Sequence, residues 1–506
     1  MSSLIKSLVS LACLLLSVVA SPTAHGDRAD FAIINARVID GTGAKAYRAN
    51  VAITDGRISA IDKQLGSVYA AQIIDAKGRY LTPGFIDLHS HGSPLNRGDF
   101  KNFIAMGVTT ITLGQDGSSP MTDDLSMWAT TANIAGMYSN VAMFVGHNTL
   151  RRLVGTGPVA DISPEQLKGM KQILADNLDS VFGLSTGLEY SPGLYARQAE
   201  LIALAKVVGD NDKLIMSHMR NEDDDALVRS INELLRQGKY ARVHASHLKS
   251  VYGKGAERAE EILAVLYKAR EQGIQITADV YPYSASYTGI AIVFPDWAKT
   301  TEQFELAKAT RRLELAQFIR DKVNSRNGPE ATLFGTEPYV GMTLADVAKK
   351  LGKSFEDVLI DDIGPAGASA AYFVMDKELQ DRLIADPLIA LSSDGQMSSF
   401  HPRGHGAFAK LIEEYVVQRR MFSLEEAVRK VTSHPADVLK LSQRGMIKVG
   451  YHADLNLFAP ANVKSTATYN NPHQLAEGFD YVFVNGQIAK FPDRFNERLH
   501  GQVLKP

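Results

Sequence analysis

The chain has 506 residues, 45% of them hydrophobic and 22% charged, a globular composition long enough for one large core with further layers around it. Lys and Arg number 54 against 56 Asp and Glu, a net charge of −2, and no basic patch or charge run is present. That balance argues against nucleic acid or an anionic membrane surface as a partner.

The first residues depart from this pattern. MSSLIK carries one Lys, and LVSLACLLLSVVA after it is an apolar core of signal-peptide length, short for a bilayer span. Residues 1–20 read as a signal peptide, with a cut as late as 26 also open. The expectation is export, to the periplasm or as a secreted protein. Cys13 is the only cysteine; it lies too early in the apolar run for a lipoprotein box and leaves with the leader. The mature chain then has no disulfide and no thiolate ligand, so any metal must be held by His, Asp and Glu.

From residue 30 to 82 the pattern is β: FAIINARVID, NVAITDGRISAID and AAQIIDAKGRYLTP are short runs broken by Asp-Gly and Lys-Gly turns. The tail repeats it in GMIKVGYHADLNLF and FDYVFVNGQIAK. These ends predict one small composite β-sandwich domain, residues 27–82 with 440–506, closed around a central unit of residues 83–439.

Within that unit, the strand ending at His89 is followed by strand-like runs at 107–113, 141–145, 180–184, 213–216, 241–244, 274–277 and 388–391. Stretches of helical spacing, such as PEQLKGMKQILADNL and GAERAEEILAVLYKAREQG, lie between them. Eight β–α repeats predict a closed (β/α)8 TIM-like barrel, an α/β fold whose active site gathers at the carboxyl ends of the strands. Residues 296–385, helical and placed between the seventh and eighth strands, read as an insertion over the barrel mouth.

His89 and His91 end the apolar run YLTPGFIDL. On a strand, residues two apart share a face, so both imidazoles aim at one point. His218 follows the fifth strand, His247 the sixth, and Asp394 the eighth. One such residue is a polar side chain at a strand end; all of them together predict a metal-hydrolase constellation. His244 has the wrong parity to join His247 and reads as structural.

The order HxH, His, His, Asp resembles the amidohydrolase superfamily. The strings GFIDLHSH, VGHNTLRR, GLSTGLEYSPG, SHMRNE, SHLKS, DVYPYSAS, SSDG with HPRGHG, and RGMIKVGYHADLNLF are similar to its N-acyl-D-amino-acid deacylase (D-aminoacylase) family, and run from about residue 30 to 490. The resemblance implies one or two divalent ions, zinc foremost, held by His89, His91, His218, His247 and Asp394. It implies attack of metal-bound water, whose pKa can fall near 7, on the amide of an N-acyl amino acid, with Asp394 as general base and then acid. The D configuration rests on the resemblance alone.

One departure stands out. The family often carries a Cys ligand after the second strand, and here the matching text is Gly114-Gln115-Asp116-Gly117. Glu189, after the fourth strand, stands where other superfamily members hold a bridging carboxylate. Glu189 is the expected bridge and Asp116 the alternative ligand. Arg403 and Lys249 match family positions for a substrate carboxylate; Tyr281, Tyr283 and His147 are further candidates for substrate contact, each with a structural role left open. The expected partner is a small molecule, with no nucleic acid and no membrane after leader cleavage. Alternatives are an amidohydrolase acting on dipeptides, amino-acid amides or cyclic amides, and a non-catalytic periplasmic binding protein.

Overall fold

The structure is a computed structural model that describes residues 28–64, 69–96 and 100–506. The expected signal peptide lies outside the described residues. Among the described residues, no helix is long and apolar enough to cross a membrane.

The two ends of the chain build one eight-stranded sheet. Its order is Gln487–Lys490, Phe479–Val484, Leu455–Phe458, Tyr80–Pro83, Ala29–Val38, Tyr47–Thr54 and Arg57–Asp62, with Ala70–Asp75 also paired to Ala29–Val38. The turn residues Asp55-Gly56 and Asn485-Gly486 all have positive φ, as two-residue hairpins require. Phe31 and Phe483 stand three strands apart, yet their ring centroids meet at 5.5 Å. A flat sheet would hold them about 14 Å apart, so this sheet curls over and packs on itself. Ile33, Val51, Leu81 and Leu455 fill the space between.

Gly84 passes the chain from this sheet to the barrel. A Cβ there would lie 2.2 Å from Thr109 Oγ1, so only glycine lets the two backbones approach. The barrel strands are β1 (Phe85–Asp87), β2 (Val108–Leu113), β3 (Asn140–Met143, resumed at Val145–Gly146), β4 (Gly183–Gly187), β5 (Leu214–His218), β6 (Arg242–Ala245), β7 (Ile276–Val280) and β8 (Ile389–Leu391). Each pairs in parallel with the next. Closure between β8 and β1 falls just past the strands: the Asp394 N–H donates to His89 O and the His91 N–H to Gly395 O, both at 2.8 Å. The residues predicted to bind metal thus also shut the barrel with their own backbone. β4 runs three residues further along the chain than its apolar pattern suggests, which leaves Glu189 two residues beyond its end.

Between β7 and β8 the chain makes a long excursion. A three-stranded antiparallel sheet (Ser286–Gly289, Ser369–Tyr372, Thr332–Phe334) carries the helices Thr301–Thr310 and Arg312–Ser325 on one connection and Leu344–Leu351 and Phe355–Val358 on the next. The excursion therefore starts about ten residues before the expected 296. It ends before the helix Lys377–Ala385, which packs on Gly255–Glu271 in the outer ring of the barrel and pairs Arg382 with Glu260 at 2.5 Å. Helical spacing identifies a helix without saying which layer it covers.

Candidate metal centre

Every strand-end residue singled out above except His147 and Tyr283 reaches one place at the carboxyl end of the barrel, a cavity of about 360 Å³ or its immediate wall. Three of them, Asp116, His247 and Asp394, sit in the left-handed backbone region with φ of 53, 37 and 48°. Non-glycine residues there carry strain of about 1–3 kcal/mol each and persist only where the surroundings hold them. Two buried carboxylates hold the backbone at His247 and beside Asp394. Asp87 accepts the backbone N–H of His89 at 3.1 Å and of Ser393 at 3.0 Å. Asp279 accepts the backbone N–H of His247 at 2.9 Å and the Ser392 hydroxyl, and its other oxygen meets His244 Nε2 at 2.6 Å. His244 is thus bonded into the floor, with Thr277 on its Nδ1 at 2.7 Å.

Above that floor, Asp116 is the carboxylate that all four histidines share. Its oxygens lie 3.2 Å from His89 Nε2, 3.5 Å from His91 Nε2, 3.6 Å from His218 Nδ1 and 3.3 Å from His247 Nε2. Asp394 Oδ1 lies 3.3 Å from His91 Nε2 and 3.8 Å from His89 Nε2. Glu189 instead meets only His218 of the four, on Nε2 at 3.1 Å, the nitrogen turned away from Asp116. Asp116 thus makes the contacts to several imidazoles that were expected of Glu189, while Glu189 converges with His218 and Glu222. Asp116 stands at the centre because β2 ends one turn short of it and the Gly114–Gly117 turn folds it inward; a Cβ on Gly114 would clash with Phe144 O at 2.1 Å.

The electrostatics match a cation site. Burial pushes the Asp394 carboxyl up, but the Arg403 guanidinium and the histidines outweigh it and hold the group well below the usual carboxylate range. Burial also raises Asp116, and His89 and His218 bring it well below its ordinary value. Burial lowers the His89 imidazole, favouring the neutral form a metal needs. Burial lowers His218 too, but Glu222 and Asp116 drive it up to about 10.

The donor set fits a divalent ion on geometric grounds as well. His89 is fully buried, and neither ring nitrogen has a hydrogen-bond partner although Asp116 is 3.2 Å away. Two ligands about 2.1 Å from one tetrahedral ion lie ~3.4 Å from each other, and the separations around Asp116 cluster there. Imidazole with carboxylate, and no thiolate, suits zinc and its neighbours. His89, His91, Asp116 and Asp394 form one group of converging ligand atoms and Asp116, His218 and His247 a second, with Asp116 common to both.

The other candidates divide. Arg403 lies against the centre, Nη1 2.6 Å from Asp394 Oδ2 and Nη2 3.2 Å from Tyr287 O, with its Nε unpartnered. Lys249 gives its ammonium to both oxygens of Glu222 at 2.7 Å and stands 2.8 Å from His247 Nδ1. Tyr281 is fully buried beneath the two cations, 4.8 Å from the Arg403 guanidinium. Tyr283 turns away from the cavity to His401, ring to ring at 5.3 Å. His147 is also directed away: it is buried against Glu200 at 2.7 Å, in a triad with Arg151, and Asn148 and Arg152 line the cavity in its stead. Sequence reasoning passed over Glu222, which lies 3.2 Å from His247 Nδ1, and the floor carboxylates Asp87 and Asp279. Each lies within motifs already singled out, GFIDLHSH, SHMRNE and DVYPYSAS, so an acidic residue inside a strand-end motif was the signal available.

Residues 256–489 match the amidohydrolase family. Over 506 aligned residues the chain is 30% identical to N-acyl-D-glutamate deacylase of Alcaligenes xylosoxydans xylosoxydans, covering 95% of this chain and 97% of that one. It is 31% identical to N-acyl-D-aspartate deacylase of the same organism, covering 95% of each. Among solved structures, N-acyl-D-glutamate deacylase from Bordetella bronchiseptica, complexed with zinc and a phosphonate mimic of the tetrahedral intermediate, superposes with a TM-score of 0.80 at 30% identity, over 95% of this chain and 100% of that one. With its curled end-to-end sheet, its barrel and its strand-end ligands, the chain belongs to the amidohydrolase superfamily, in the family of the N-acyl-D-amino-acid deacylases.

Proposed function

We propose that this protein is a zinc-dependent hydrolase that cleaves the amide bond of N-acyl-D-amino acids to a carboxylic acid and a free amino acid. The observation that carries the reading is the convergence of His89, His91, Asp116, His218 and His247 on one point, with Asp394 ion-paired to Arg403 beside it. The relatives named above, called deacylases of N-acyl-D-glutamate and N-acyl-D-aspartate, support it.

The divalent ion, when bound, lowers the pKa of water and polarises the scissile carbonyl. The protein's own residues supply the rest. His89, His91, His218, His247, Asp116 and Asp394 are the proposed ligands, with Asp116 common to both groups and Asp394 also the base. Asp394 takes a proton as the water oxygen bonds to the carbonyl carbon, and returns it to the nitrogen as the C–N bond breaks. Arg403 keeps that carboxylate ionised and turned into the site, and its unpartnered Nε is free for the substrate's α-carboxylate. Lys249 and Glu222 both reach His247 Nδ1, at 2.8 and 3.2 Å, and together fix the orientation of that ring. Glu189 is left as a second contact on His218.

The test is a panel of N-acetyl-D- and N-acetyl-L-amino acids, with a hydantoin and dipeptides alongside, run on zinc-loaded protein. Turnover of the D series carries the proposal; turnover confined to the hydantoin or the dipeptides ends it. The apolar leader further supports export to the periplasm. Mass measurement of the N-terminus after expression in a bacterium checks this, and a retained Met1 in a cytoplasmic fraction refutes it.

A further inference from the structure

The cavity wall contains a cation that the proposed chemistry does not use. Arg326, 2% exposed, caps the excursion helix Arg312–Ser325 and lines the cavity from its roof. Its guanidinium lies over the Tyr372 ring at 5.1 Å. Its Nε is buried with no hydrogen-bond partner. Its one carboxylate neighbour, Asp223, is 3.5 Å away and already receives Lys322 at 2.6 Å. One carboxylate therefore faces two cations, and the buried one has the weaker hold on it.

The other buried cations of the cavity are better matched. Lys249 has both oxygens of Glu222 at 2.7 Å, and Arg403 has Asp394 at 2.6 Å. A buried N–H donor left unpaired costs free energy, and a guanidinium presents its donors in a fork that fits a carboxylate. A surplus guanidinium facing a substrate cavity is arranged to be completed by what enters.

We propose that Arg326 is a specificity-determining residue that receives a second carboxylate on the substrate, so that the preferred substrates are N-acyl derivatives of acidic amino acids. This rests on the deacylase reading and deepens it. Arg403, after β8, takes the α-carboxylate, while Arg326, descending from the excursion, takes the one on the side chain. Neutral side chains leave Arg326 unpaired, and a site that offers hydrogen bonds discriminates strongly against a ligand that cannot accept them.

The experiment measures kcat/KM for N-acetyl-glutamate, N-acetyl-aspartate, N-acetyl-leucine and N-acetyl-methionine, of the reactive configuration, on zinc-loaded protein. The expected result is an acidic-over-neutral ratio of at least about tenfold, carried mainly in KM. Arg326→Met is expected to reduce that ratio by about tenfold or more. Lys322→Met, at a half-exposed position, frees Asp223 to pair with Arg326, so the ratio falls by a smaller factor even where the Arg326 variant fails to fold. An acidic-over-neutral ratio at or below one in the parent, or a ratio unmoved by Lys322→Met and Arg326→Met, overturns the inference and leaves the deacylase reading standing. No turnover of any N-acyl amino acid overturns both.

Discussion

The mouth of this barrel is made by two regions of different character. The ring of ligands belongs to the strands: each residue sits at or just past a strand end, and the backbones of His89, His91, His247 and Asp394 are tied by Asp87, Asp279 or the β8–β1 closure. The roof, residues 281–376, belongs to no repeat, and its side chains reach the cavity from a separate small sheet and its helices. The ring can hold cations because its geometry is inherited from the closed barrel. The ring's side chains converge on the candidate metal centre, while the roof contributes Tyr287 and Arg326 to the cavity wall.

The largest expected effects break the ring. Asp394→Ala is expected to lower kcat by about 10³–10⁴ by removing the proton carrier, and steady-state kinetics with N-acetyl substrates check it. Removal of metal with a chelator is expected to abolish turnover, with recovery on adding zinc.

The contrast between the two carboxylates comes next. Asp116→Ala is expected to lose bound metal, Asp116→Cys to retain it as a thiolate, and Glu189→Ala to keep full occupancy. Metal analysis per subunit reads all three, and full occupancy in Asp116→Ala together with loss in Glu189→Ala restores Glu189 as the bridge.

A smaller effect is expected beneath the ring. Asp279→Asn loosens the left-handed turn at His247 and is expected to weaken metal binding about 10- to 100-fold, as outer supports of metal ligands do. Titration against a chelating dye measures it. Outside both regions, Glu200→Gln leaves Arg151 buried without a counter-charge. It is expected to cost about 3–5 kcal/mol of stability, read by denaturant unfolding. A change in KM as large as the loss of stability would tie His147 and its partners to the site after all.

Much of the ring was legible beforehand. His89 and His91 at spacing two, and His218, His247 and Asp394 after apolar runs, follow from strand periodicity and the one-sided active site of a β–α barrel. His147 fails for a reason spacing cannot express: it opens the helix His147–Leu153 instead of continuing β3, and so turns inward to Glu200. Tyr283 fails because it lies three residues past the strand's end at Val280, where strand alternation no longer sets direction, and it packs on His401. Arg326 was invisible because it reaches the cavity through a cap in the excursion, without strand, motif or spacing to mark it.

The amino-acid order alone determined the alternation of strands and helices, the hairpin turns at Asp55-Gly56 and Asn485-Gly486, the cysteine-free donor chemistry and the strand ends on which the histidines fall. These are local properties, set by periodicity, backbone preference and side-chain type. Only the folded chain decided that Asp116 rather than Glu189 meets all four imidazoles, that Lys249 is bound by Glu222, and that Arg326 hangs over the cavity with one weak partner. Those facts depend on which side chains meet across 25 to 131 residues of chain, and such meetings are settled by barrel closure and packing, which no local pattern encodes.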